Sequence, residues 1–126
     1  MYGIVLVSHS EKIAIGLKDM IDEMINTSEV TVLAAGGTGD GRLGTSAVVI
    51  YEELQKLKEC SSILVFSDIG SSILSSEMAV ELIDDEELKE KVVLVSAPLI
   101  EGAFAGAVSL SAGLCLEDAL KEVNNN

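Results

Sequence analysis

Apolar and polar positions along the 126-residue chain alternate between two patterns. Unbroken aliphatic runs at residues 2–7 (YGIVLV), 30–34 (VTVLA), 62–66 (SILVF) and 92–96 (VVLVS) have the length and β-branched content of strands buried on both faces. Between them, apolar residues recur at helical spacing. Residues 10–26 place Ile13, Leu17, Met20, Ile21, Met24 and Ile25 on such a pattern. Residues 45–58 predict a second helix with Val48, Val49, Leu54 and Leu57 inward, and residues 73–82 a third. After the fourth strand, GAFAGAVSLSAG reads as a small-residue helix and LEDALKEV as a short final one. The run DDEELKEK (84–91) reads as a solvated helical turn, and the terminal NNN as frayed. Strands alternating with helices imply right-handed crossovers and a parallel sheet. The expected fold class is therefore α/β: a doubly wound, mainly parallel four-stranded sheet in the order 2-1-3-4, flanked by helices, in one domain spanning 1–126.

Composition trims the range of functions. Nearly half of the residues are apolar (48%) but only 3% are aromatic, so the core must be aliphatic. Twenty-one acids against eight bases leave a formal charge of −13, which supplies no basic stripe for nucleic acid or an anionic membrane. No run approaches a membrane span, and the first apolar run lacks the flanks of a secretory signal. The two cysteines, Cys60 and Cys115, fit no metal or redox spacing and are expected to be buried thiols in a reducing, cytoplasmic setting. No metal cluster and no cofactor motif is visible.

Candidate chemistry collects at one edge. Ligands of open α/β sheets bind beyond the carboxyl ends of the strands, near the switch in winding direction. Ser8-His9-Ser10 follows the first strand, a glycine-rich loop (35–45) the second, Ser67-Asp68-Ile69-Gly70-Ser71-Ser72 the third, and Ala97-Pro98 the fourth. The only histidine, arginine and proline of the chain all lie there. Imidazole can act as neutral nucleophile or proton carrier near neutral pH. In the order 2-1-3-4, Asp68 falls beside His9. Its carboxylate can then fix the ring and free the other nitrogen to attack, or it can serve as a helix N-cap. The loop contains G-x-G-x-x-G (Gly39, Gly41, Gly44), without the tight strand–turn context of a dinucleotide site. It also has a Walker A spacing without the lysine, which excludes a P-loop. Backbone amides, the Thr38 and Thr45 hydroxyls and a helix N-terminus would suit a small oxyanion; a plain flexible loop is the bland alternative.

Taken in order, GIVLVSHS, AAGGTGDGRLGTS, SDIGSS and APLIEGAFAGAV resemble the mannose-type enzyme IIA family of the bacterial phosphotransferase system. Within it, they are most similar to the phosphotransferase subunits of phosphoenolpyruvate-dependent dihydroxyacetone kinases. The resemblance implies that His9 carries a phosphoryl group and that Asp68 orients it. It further implies that Gly37, Thr38, Gly39, Thr45, Gly70 and Ser71 bind the phosphoryl oxygens, with Gly44 in the same loop. It implies HPr as donor, ADP on a nucleotide-binding kinase subunit as acceptor, a dihydroxyacetone-binding third subunit, and a homodimer. Family members commonly read aspartate-leucine-glycine-serine-alanine where this chain has DIGSS, which leaves the part of Ser72 open. The alternatives are a IIA domain serving a sugar-transport complex and a non-enzymatic anion- or nucleotide-binding module. A receiver domain is disfavoured because the acidic pair after the first strand is missing.

Overall fold

The computed structural model describes residues 1–25 and 28–125. Four strands, β1 (Tyr2–Ser8), β2 (Val30–Gly36), β3 (Ser62–Ser67) and β4 (Val92–Val95), form one sheet in the order β2-β1-β3-β4. All three pairings are parallel; Val5 stands opposite Leu33 on one side and Val65 on the other. The helices are α1 (Glu11–Met24), α2 (Ala47–Gln55), α3 (Gly70–Glu81), α4 (Glu86–Lys91), α5 (Leu99–Ser111) and α6 (Leu116–Asn124).

Alternation along each strand divides the core into two layers. Ile4, Leu6, Leu64 and Phe66 pack with Leu17 and Ile21 of α1 and with Leu99, Ala103, Ala107 and Leu110 of α5. Val5, Val7, Ile63 and Val65 face the opposite way, onto Ile50 and Leu54 of α2, Ala79 of α3 and Leu88 of α4. The small residues of α5 serve the chain's own sheet. A Cβ on Gly102 would stand 2.9 Å from the Ala97 Cβ, and one on Gly106 3.2 Å from the Phe66 ring, so glycine lets the helix lie against that ring. Full burial of such an aromatic contributes roughly 1.5–3 kcal/mol.

Several boundaries and faces differ from expectation. In α1, Ile13, Met20 and Met24 are exposed, while Ala14, Leu17 and Ile21 carry the contact; the predicted end at Asn26 lies outside the described residues. Strand β2 runs on to Gly36, because Gly36 continues the ladder opposite Ser8. Helix α2 starts at Ala47, where the Ser46 hydroxyl accepts from the Val49 amide, and it turns Ile50 rather than Val48 inward. The run 84–91 is a capped helix: Asp85 accepts from the amides of Glu87 and Leu88, and Leu88 is buried. Cys60 is buried as expected, but Cys115, immediately before α6, is exposed. Helix α3 is inverted. It turns Ser72, Ser76 and Ala79 to the sheet and leaves Ile73, Leu74, Met78 and Leu82 outside.

Candidate functional site

The site starts from the way β1 ends. Strand β1 is the inner partner of both β2 and β3, so its last residues lie between the loops that follow those strands. Ser8 is fully buried, and its carbonyl accepts from the Gly37 amide at 3.0 Å. The carbonyl of His9 accepts from the Gly44 amide at 2.8 Å. Gly37 and Gly44 hold φ values of +71° and +132°, conformations that side chains rarely adopt, and this is how the glycine loop folds back onto the end of β1. Ser10 then caps α1, its hydroxyl accepting from the Ile13 amide.

Asp68 is the hub. Its amide donates to the Val7 carbonyl at 3.1 Å, which continues the β1–β3 register and brings the side chain beside His9. Four donors converge on the carboxylate. Oδ2 accepts from the Ser8 hydroxyl and the His9 amide, both at 2.9 Å; Oδ1 accepts from the Ile69 amide at 2.7 Å and from His9 Nδ1 at 3.0 Å. Partial burial raises the pKa of this carboxyl. The hydrogen bonds from the His9 amide and ring, the Ile69 amide and the Ser8 hydroxyl outweigh that effect and bring it down to about 2. The N-cap alternative fails: Ile69 is the N-cap of α3 and no side chain caps that helix.

An ionised carboxylate only accepts, so the proton of a neutral His9 ring sits on Nδ1. Nε2 then carries the lone pair, and it hydrogen-bonds to the hydroxyl of Ser71 in the first turn of α3. The His9 side chain is 25% exposed, and its contact with Ser71 lies at the surface beside the start of α3. Beside Asp68 opens a cleft of about 390 Å³, whose lining includes Ile73, Val95, Ala97 and Pro98. The arrangement can do nucleophilic chemistry on an electrophile carrying negative charge, which a helix N-terminus favours.

The other expected residues divide. Ser71 joins His9 directly, while Gly37 and Gly44 act through backbone bonds to Ser8 and His9. The Thr38 hydroxyl donates to Asp40, and Arg42 pairs with the same carboxylate at 2.8 Å. The Arg42 and Thr38 contacts hold the Asp40 carboxyl near 2, so this arginine is occupied within its own loop. Gly39 is exposed at the tip of that loop. Thr45 is joined to Ser75 of α3 at 2.6 Å. Gly70 begins α3 with open space where a Cβ would stand, so no close approach requires glycine there. Sequence reasoning missed the roles of Ser8 and Ser75 and left that of Ser72 open. Ser8 was visible as a hydroxyl next to His9. Ser75 was visible only as one helical turn beyond Ser71. Ser72 is buried and donates to the Ile69 carbonyl, which closes the first turn of α3. Among the described residues no group of three or more His, Cys, Asp or Glu could hold a metal ion, and no helix is long and apolar enough to cross a membrane.

The motifs of this edge lie within the region of a family model: residues 3–120 match EIIA-man, the PTS system fructose IIA component. The chain belongs to that family. The phosphoryl donor subunit DhaM of the PEP-dependent dihydroxyacetone kinase 2 of Listeria innocua serovar 6a is 48% identical over 125 residues, which are 99% of this chain and 98% of that protein. The phosphotransferase subunit DhaM of the PTS-dependent dihydroxyacetone kinase of Lactococcus lactis subsp. lactis is 36% identical over 121 residues, 96% of this chain and 91% of that one. The crystal structure of unknown function protein EF1359 shares the fold with a TM-score of 0.88 at 38% identity, covering 98% of this IIA chain and 93% of that chain.

Proposed function

We propose that this chain is the phosphoryl donor subunit of a phosphoenolpyruvate-dependent dihydroxyacetone kinase, a carrier acting in the cytoplasm. The observation that carries the reading is the His9 ring held at Nδ1 by Asp68, with Nε2 presented beside Ser71 at the exposed start of α3. It is supported by the dihydroxyacetone kinase relative that matches almost end to end.

In the first step Nε2 attacks the phosphorus of phosphohistidine on HPr; the P–N bond to HPr breaks and a new P–N bond forms to His9. Asp68 stabilises the positive ring that develops. The Ser71 hydroxyl turns from the Nε2 lone pair to a phosphoryl oxygen, and the first-turn amides of α3 face the added charge. In the second step an oxygen of ADP, held by the nucleotide-binding kinase subunit, attacks the phosphorus in line and His9 leaves neutral. The resulting nucleotide phosphorylates dihydroxyacetone on the third subunit.

The test is incubation with enzyme I, HPr and phosphoenolpyruvate, followed by intact-mass and peptide analysis. An acid-labile phosphoryl group on His9, absent from His9→Gln, is expected; an unmodified protein refutes the carrier role. A chase with the kinase subunits, ADP and dihydroxyacetone should then discharge it. A phosphorylated form that those subunits leave intact refutes the kinase assignment and points to the sugar-transport alternative.

A further inference from the structure

The contacts that hold His9 also satisfy the requirements of a different chemistry. Ser71 Oγ lies against His9 Nε2, His9 Nδ1 is 3.0 Å from Asp68 Oδ1, and Asp68 is fixed by the Ser8 hydroxyl and the Ile69 amide. A hydroxyl in reach of an imidazole whose far nitrogen is oriented by a carboxylate is the constellation that activates serine for acyl transfer on unrelated folds. Ser71 is exposed, so an electrophile can reach Oγ. It is the second residue of α3, where the Ser72 amide already donates to the Ile69 carbonyl at 2.9 Å, so the Gly70 and Ser71 amides are the ones left to face a developing oxyanion. Leu74, one turn further along α3, and Ile69 are both 62% exposed and offer apolar surface to a small aryl or alkyl group.

We infer that Ser71, His9 and Asp68 form a working serine–histidine–aspartate triad, and that the unphosphorylated protein hydrolyses activated esters of short acyl groups. Nε2 takes the hydroxyl proton as Ser71 Oγ adds to the ester carbonyl carbon. The tetrahedral adduct collapses with cleavage of the acyl–oxygen bond, and the alcohol leaves with the proton from His9. Water then adds to acyl-Ser71 and gives a proton to Nε2; the acyl–Ser71 bond breaks, Oγ recovers that proton, and the carboxylic acid departs. Phosphoryl carriage does not lead to Ser71. In-line displacement at a phosphoryl group on Nε2 needs the attacking atom opposite that nitrogen, whereas Oγ lies on the same side.

The test uses p-nitrophenyl acetate with the unphosphorylated protein, following p-nitrophenolate release and mapping the acetyl group by peptide mass analysis. Acetyl on Ser71 is expected, with release slowed roughly 100-fold or more in Ser71→Ala and in His9→Gln. As a second measurement on the unaltered chain, an organophosphorus fluoride should leave a stable adduct on Ser71. Release unchanged in Ser71→Ala, an acetyl group on His9 or lysines alone, or no Ser71 adduct from the fluoride would each overturn the inference. Phosphoenolpyruvate and HPr are absent from these assays, so a negative result leaves the carrier reading untouched.

Discussion

Replacing Asp68 with asparagine tests the hub of the site, because the carboxylate accepts four hydrogen bonds, two on each oxygen. Asparagine offers one oxygen and one NH₂. If the NH₂ takes the place of Oδ1, it confronts the Ile69 amide and forces the His9 ring to accept at Nδ1 and carry its proton on Nε2. If it replaces Oδ2, it confronts the His9 amide, while the Ser8 hydroxyl can rotate to accept. Either way one backbone N–H loses its acceptor, at about 1–3 kcal/mol. The carboxyl's own linkage gives a similar figure. Its pKa is about 2 against an ordinary 3.8, a difference worth up to roughly 2.4 kcal/mol that solvent screening at a 21% exposed side chain trims to about 1–2 kcal/mol. A depressed pKa stabilises above the unfolded value and loses that contribution as pH falls through the folded one. The expected result in urea unfolding is a loss of about 2 kcal/mol at pH 7, with the two proteins converging between about pH 4 and pH 2. If His9 takes its phosphoryl group from HPr as proposed, that transfer should slow by roughly 10²–10⁴ where the ring changes tautomer, which ¹⁵N NMR reads directly. A gap below about 0.5 kcal/mol at pH 7, or one that stays constant down to pH 2, would refute the reasoning.

Three further outcomes are expected. Gly36→Ala places a Cβ 2.7 Å from the Glu11 Cα and the Ser10 carbonyl oxygen, backbone that cannot yield, and should cost about 1–3 kcal/mol or more in denaturant unfolding. Thr45→Val breaks the hydroxyl link to Ser75 and should cost about 1 kcal/mol. It should also slow phosphorylation without altering the His9 tautomer seen by NMR, and Thr45→Ser should restore the rate. A thiol reagent should modify Cys115 at once and Cys60 only on unfolding, since burial both covers the Cys60 thiol and pushes its pKa up.

The strand order and the company of His9 were legible because they follow from few constraints. Four aliphatic runs separated by helices admit a parallel sheet, and a sheet with β1 inside brings the residues after β1 and β3 together. Helix faces were less legible. Val48 and Ile50 are equally apolar, and which one is buried depends on where Ser46 starts α2, a matter of one hydrogen bond. The link between Thr45 and Ser75 was not legible either, because the two hydroxyls are thirty residues apart in the chain and meet only once α3 is in place. Leu88 was hidden by its charged neighbours, although a single apolar residue in a capped turn is enough to seat α4. Cys115 shows the limit of composition, since a residue type that is usually buried is outside here.

The inverted face of α3 bears on how the site opens. Opening a helix costs chiefly the apolar area it keeps from water, and α3 keeps little: it buries Ser72, Ser76 and Ala79 and packs a half-buried Val80 against the core. Its amides should therefore exchange with solvent well before those of β1, where Ile4 to Val7 are fully enclosed. When α3 lifts, Nε2 loses Ser71, but the Asp68 bonds to the His9 ring and to the Ser8 hydroxyl lie at the ends of β3 and β1 and remain. The ring thus keeps its aim through fluctuations that free its reactive nitrogen.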